Sequence, residues 1–124
     1  MVLSDDALTL LRRSVRSVWA LELLLLLRRE CGRSWTPDTL VAELRGSPMV
    51  VGEALGALTA AGLVAKEPDG ALRYHPVAEV LDRWVQEIAE AYSLRPSAVI
   101  REIFASPQSK VQIFADSFRF RSLD

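Results

Sequence analysis

The chain is 124 residues long, 50% hydrophobic and 25% charged, with a formal net charge of −1. That balance excludes a disordered chain, allows one domain with a real core, and offers no global attraction to nucleic acid or to an acidic membrane surface. The single cysteine, Cys31, excludes an intramolecular disulfide and fits a reducing compartment, so a cytoplasmic protein is expected.

Ser4 followed by Asp5 and Asp6 reads as a helix start, because a side-chain acceptor and two carboxylates meet the free N–H groups of a first turn. Leu8, Leu11, Val15, Val18 and Trp19 continue an apolar stripe into a leucine run, giving one helix over 4–30 or two with a break near Ser17. The apolar run from Val18 to Leu27 is interrupted by Glu22 and closed by Arg28 and Arg29, about half of what a membrane span needs. It also lies behind Asp5 and Asp6, too far from the start for a signal peptide. Arg12, Arg13 and Arg16 fall on the opposite face, as a solvated surface or as a phosphate-contacting patch.

Cys31 to Trp35 reads as a connector, and Thr36-Pro37-Asp38 as the capped start of a helix with Leu40, Val41 and Leu44 inward. Gly46-Ser47-Pro48 makes a tight turn, with Ser47 capping the next helix. That helix buries Val51, Leu55 and Leu58, and Gly62 is placed for a left-handed C-cap before Leu63 and Val64. Two short helices joined in this way form a helix-turn-helix. Leu63 to Glu67 and Ala71 to His75 read as strands around the turn Pro68-Asp69-Gly70, a β-hairpin.

Pro76 opens a helix with the stripe Val77, Val80, Leu81, Trp84, Val85, Ile88 and Tyr92, and with Glu79, Asp82, Arg83, Glu87 and Glu90 on a solvated face. Arg95-Pro96 and Ser106-Pro107 mark two further starts, whose helices carry Val99, Ile100, Ile103 and Phe104, then Val111, Phe114 and Phe118. The expected fold is mainly α with one small hairpin, a single domain over 1–124. Its parts are an N-terminal helix or helices over 4–30, the helix-turn-helix with hairpin over 36–75, and C-terminal helices over 76–120.

Gly52, Gly56 and Ala60 recur at i, i+4, i+8 on one flank of the third helix. A glycine inside a helix costs about 1 kcal/mol relative to alanine, so the strip asks for a reason. Close approach of another helix or backbone is one, with Met49 and Val50 as exposed apolar neighbours; packing within the chain is the other. Trp19, Trp84 and Tyr92 are large enough to fill the core or a helical dimer seam. His75 is the sole histidine and sits in the hairpin, no metal-ligand spacing is present, and neither catalysis nor a cofactor is expected. Cys31 lies near Arg28, Arg29 and Arg33, whose charges suit a reactive thiol, but an incidental, partly buried thiol is the expected reading.

The order helix, helix, turn, helix, hairpin resembles the winged helix-turn-helix of bacterial regulators such as the MarR and ArsR families. Residues 35–75 carry the resemblance, in TPDTLVAELRGSPMVVGEALGALTAAGLV and in the exit KEPDGALRYH. It implies a winged-helix fold with extra N- and C-terminal helices, a DNA-binding transcriptional regulator, and a homodimer that spans two half-sites. It further implies that Ser47, Met49, Val50, Glu53 and Ala54 face the groove of double-stranded DNA and that Arg73 reaches a phosphate; Arg45 and Lys66 are expected as further phosphate contacts. The sequence departs from the pattern in one respect: from Pro48 to Val64 it has no Lys or Arg, and Glu53 is the only ionised side chain. The alternative is a winged-helix module that contacts a protein through Met49, Gly52, Gly56 and Ala60.

Overall fold

The computed structural model describes residues 3–105. Among them are α1 (Asp5–Ser14), α2 (Val18–Arg29), α3 (Pro37–Leu44), α4 (Pro48–Ala60), β1 (Val64–Lys66), β2 (Leu72–Tyr74), α5 (Glu79–Leu94) and α6 (Pro96–Phe104). The mainly helical class with one small antiparallel hairpin is therefore the observed one. The helix expected after Ser106, with Val111, Phe114 and Phe118, lies outside the described residues.

The choice between one N-terminal helix and two is resolved in favour of two. Ser4 accepts from the Ala7 N–H to open α1, Val15 turns extended at its end, and Ser17 accepts from the Ala20 N–H to open α2. A serine that can satisfy a fresh helix start competes with continuing the old one. Beyond the break, α2 buries Leu21, Leu23, Leu24, Leu26 and Leu27, so it is sheltered on most of its circumference and forms the centre of one continuous core.

Thr36 caps α3 through the Thr39 N–H, and Pro37 occupies the first turn, where a missing N–H is harmless. α3 ends on Arg45, held left-handed at φ 55, and the Gly46 N–H donates to the Val41 carbonyl at 3.2 Å. Gly46 is needed for space: a Cβ there would stand 2.2 Å from the Trp19 ring. Ser47 then caps α4 through the Val50 N–H. At the far end Gly62, at φ 80, donates to the Thr59 carbonyl while Leu63 donates to Leu58, both at 3.0 Å. This double closure is the Schellman ending.

The strands pair Val64 with Tyr74, Ala65 with Arg73 and Lys66 with Leu72. Trp35, expected in a connector, instead forms a bridge to Leu72 through two backbone hydrogen bonds of 2.7 Å and is 1% exposed. The start of α5 also differs from the expectation. The Val77 N–H is held by the Gly62 carbonyl at 2.9 Å, so the helix begins at Glu79 and Val77 is left 77% exposed, outside the apolar stripe.

α1, α5 and α6 pack on one another, α3 packs on α4, and α4 packs on β1. Polar contacts tie α1 to α5 and α6, and α2 to α5. The Ser4 N–H and hydroxyl donate to Glu87, Arg12 pairs with Glu102 at 2.7 Å, and the Tyr92 hydroxyl donates to Glu22 at 2.7 Å. No helix among the described residues is long and apolar enough to cross a membrane.

Candidate interaction face around helix α4

α4 buries Val51, Ala54, Leu55 and Leu58 and turns Met49, Val50, Gly52, Glu53, Gly56, Thr59 and Ala60 outward. Met49 is 73% exposed and Val50 40%. Ala54, expected to face outward, is 7% exposed, because it falls on the same inner stripe as Val51 and Leu58. A Cβ at Gly52 or Gly56 would meet nothing within 4 Å. Among the described residues, no neighbouring helix packs against either glycine.

Few polar groups are free on that face. The Ser47 oxygen accepts from the Val50 N–H, and the Thr59 hydroxyl donates to the Leu55 carbonyl at 2.7 Å. Glu53 is an acceptor only. The outer face of α4 thus presents methyl groups, bare backbone and one carboxylate, and no cation.

Cations lie at its borders. Arg45 is exposed on the α3–α4 turn, and Lys66 is exposed on β1. Arg73 on β2 is drawn toward Glu67 at 3.8 Å, and Glu67 also accepts from the Ser34 hydroxyl. With side chains 43% and 32% exposed, the Arg73–Glu67 pair is one that water and salt weaken readily, so a competing anion can take the guanidinium.

The basic trio Arg12, Arg13 and Arg16 does not act as one patch. Arg12 turns to Glu102, whereas Arg13 and Arg16 line a groove between α1 and α4. Its α4 wall carries Ala57, Ala60 and Ala61, and Trp84 closes it from α5. The sequence marks Arg13 and Arg16 only as part of a solvated face or a phosphate-contacting patch, and it does not mark the groove. The available signal was the row Val50, Ala54, Ala57, Ala61 at i, i+4, i+7, i+11, small side chains on the flank next to the outward strip.

The aromatic residues considered for a dimer seam occupy three different settings. Trp19 is half-buried against Gly46, Trp84 lines the groove, and Tyr92 is half-buried with its hydroxyl on Glu22. That hydrogen bond, with burial and the Glu22 charge adding to it, raises the Tyr92 pKa.

Asp82, expected on a solvated face, is a junction. It accepts from the Tyr74 hydroxyl at 2.6 Å and from Arg28 Nε at 3.2 Å, joining β2, α2 and α5. Burial, followed by the bond and charge of Asp82, pushes the Tyr74 hydroxyl well above its ordinary range. Asp82 is held below the usual carboxylate range, chiefly by the Tyr74 hydrogen bond. The contacts describe a structural lock rather than a reacting centre. His75 is exposed and donates its backbone N–H to Leu63, and Cys31 is an exposed free thiol. Among the described residues no group of three or more His, Cys, Asp or Glu is placed to hold a metal ion.

No family model, curated protein or solved structure matches the chain.

Proposed function

We propose that the chain is a winged helix-turn-helix domain, with α3 and α4 as the helix-turn-helix and β1–β2 as the wing, and that it binds double-stranded DNA as a transcriptional regulator. The observation that carries this reading is the uncovered outer face of α4, from Met49 to Ala60, bordered by Arg45 on the preceding turn and by Lys66 and Arg73 on the hairpin. Those cations supply phosphate contacts, which set position and affinity. Ser47, Met49, Val50 and Glu53 meet the groove. With no side-chain N–H donor among them, recognition rests on the Ser47 hydroxyl, on apolar contact with thymine methyls, on a cytosine amino group at Glu53, and on DNA shape. Glycine at 52 and 56 lets the helix backbone approach closely.

Binding to duplex DNA is expected to weaken as salt rises, and Lys66→Ala or Arg73→Ala to weaken it on every sequence tested. Fluorescence anisotropy on unrelated duplexes checks this, and no binding at low salt would refute it. A homodimer belongs to the same reading, supported by the exposed apolar side chains Leu94 at 69% and Phe104 at 58% on the α5–α6 unit. Sedimentation equilibrium tests it: Phe104→Ser is expected to shift the chain toward monomer, and a monomeric wild type would exclude it.

One observation favours a second reading, a winged-helix module that docks on a protein. Gly52, Gly56 and Ala60 form a smooth exposed strip beside Met49, with no cation on the helix. Here Gly56→Leu abolishes partner capture while the fold persists, and unchanged capture would exclude the strip as the contact.

A further inference from the structure

On the flank of α4 that faces α1, a groove of about 440 Å³ is lined by Leu10, Arg13, Ser14, Arg16, Ala57 and Trp84, among others. A smaller hollow of about 260 Å³ continues it past Ser14, Arg16 and Ala57 to Glu53. The larger space falls within the range that small-molecule sites occupy.

Its chemistry is two-sided. α4 contributes only methyl groups, and Leu10 and Trp84 add an aliphatic and an aromatic surface, so most of the lining is apolar. Against it stand two guanidiniums. Among the described residues neither Arg13 nor Arg16 has an ion-pair partner, in contrast to Arg12 with Glu102. Ser14 is 5% exposed as a residue, and its hydroxyl, which hydrogen-bonds to no described residue, opens onto the groove. The facing charges in the larger space are Arg13 and Arg16 against the single carboxylate of Asp6; in the smaller hollow Arg16 is offset by Glu53. Positive excess therefore resides in the larger space, beside the tryptophan.

A planar guanidinium fork matches a carboxylate, and an apolar wall requires an apolar body. We propose that this groove binds a small organic acid, a monocarboxylate with a compact aromatic or aliphatic body. Arg13 and Arg16 hold the carboxylate, the Ser14 hydroxyl donates to it, and the body lies between Trp84 and the alanines of α4. The groove adjoins the outer face of α4, since Ala60 belongs both to its lining and to the strip with Gly52 and Gly56, whereas Arg13, Arg16 and Trp84 lie outside α4.

The test is titration of the full chain with benzoate and with hexanoate, followed by tryptophan fluorescence and by amide chemical shifts. Saturable binding of at least one acid is expected, with shifts grouped at residues 9–16, 57–61 and around Trp84. Which acid binds more tightly separates an aromatic from an aliphatic ligand. Benzamide and hexanamide, which keep the body and lose the charge, and inorganic phosphate, which keeps charge without a body, are expected to bind at least about tenfold more weakly. The double variant Arg13→Gln, Arg16→Gln changes only exposed or groove-lining side chains and is expected to weaken the acid by about tenfold or more. Ala57→Leu fills the groove and is expected to abolish binding, with circular dichroism melting establishing that each variant is folded. Absence of saturable binding by both acids, equal binding of the amides or of phosphate, or unchanged affinity in the folded double arginine variant would each overturn the proposal.

Discussion

Arg45 and Gly46 exchange the roles that a helix ending usually gives its residues. The left-handed position at φ 55 belongs to Arg45, while the glycine that follows is required by the Trp19 ring, 2.2 Å from where its Cβ would be. A non-glycine residue in that conformation costs about 1 kcal/mol, so Arg45→Gly is expected to stabilise the fold by about that amount while weakening DNA binding. Gly46→Ala is expected to destabilise by about 1–3 kcal/mol, since the indole must shift and the turn with it. Urea denaturation of the two variants reads both signs; a destabilised Arg45→Gly or a neutral Gly46→Ala would contradict this account of the turn.

Among the elements, the Tyr74–Asp82–Arg28 junction fastens the hairpin to the helices, and it makes stability depend on pH at both extremes. Asp82 has a lowered pKa in the folded chain, so its contribution is present above about pH 4, the ordinary carboxylate value, and is lost as pH falls through the lowered value. Tyr74 has a raised one, so its contribution is complete below about pH 10 and is lost as pH rises toward the raised value. Tyr74→Phe is expected to cost about 1–2 kcal/mol at neutral pH and to flatten the alkaline limb of the urea midpoint against pH. An unchanged alkaline limb would show that the junction does not couple the hairpin to the rest.

The hairpin, the caps and the ending of α4 were legible in the sequence because each depends on residues within a few positions: Ser4, Thr36, Ser47 and Gly62 all satisfy backbone groups of their own turn. What was not legible depends on distant partners. Trp35 pairs with Leu72 across the chain, the Gly62 carbonyl holds Val77 out of α5, and Asp82 is drawn from a surface pattern by Tyr74 and Arg28. The outward strip of α4 could be drawn on a helical wheel. Whether it met another helix was a matter of packing, and no described residue packs against its two glycines.

The whole molecule presents a contrast between a face and a flank. Outward, α4 offers a smooth surface bordered by Arg45, Lys66 and Arg73; on the flank toward α1 it closes a groove with Arg13 and Arg16. Since net charge is −1, the proposed nucleic-acid binding rests on these local cations rather than on the overall field. The measurement that tests this most directly is the salt dependence of duplex DNA binding by the wild type and by Arg45→Ala, Lys66→Ala and Arg73→Ala. The account predicts that affinity falls linearly in log–log form with salt, and that each substitution reduces the slope by about one. A wild-type chain that fails to bind duplex DNA at low salt, or three variants that keep the wild-type slope, would contradict it.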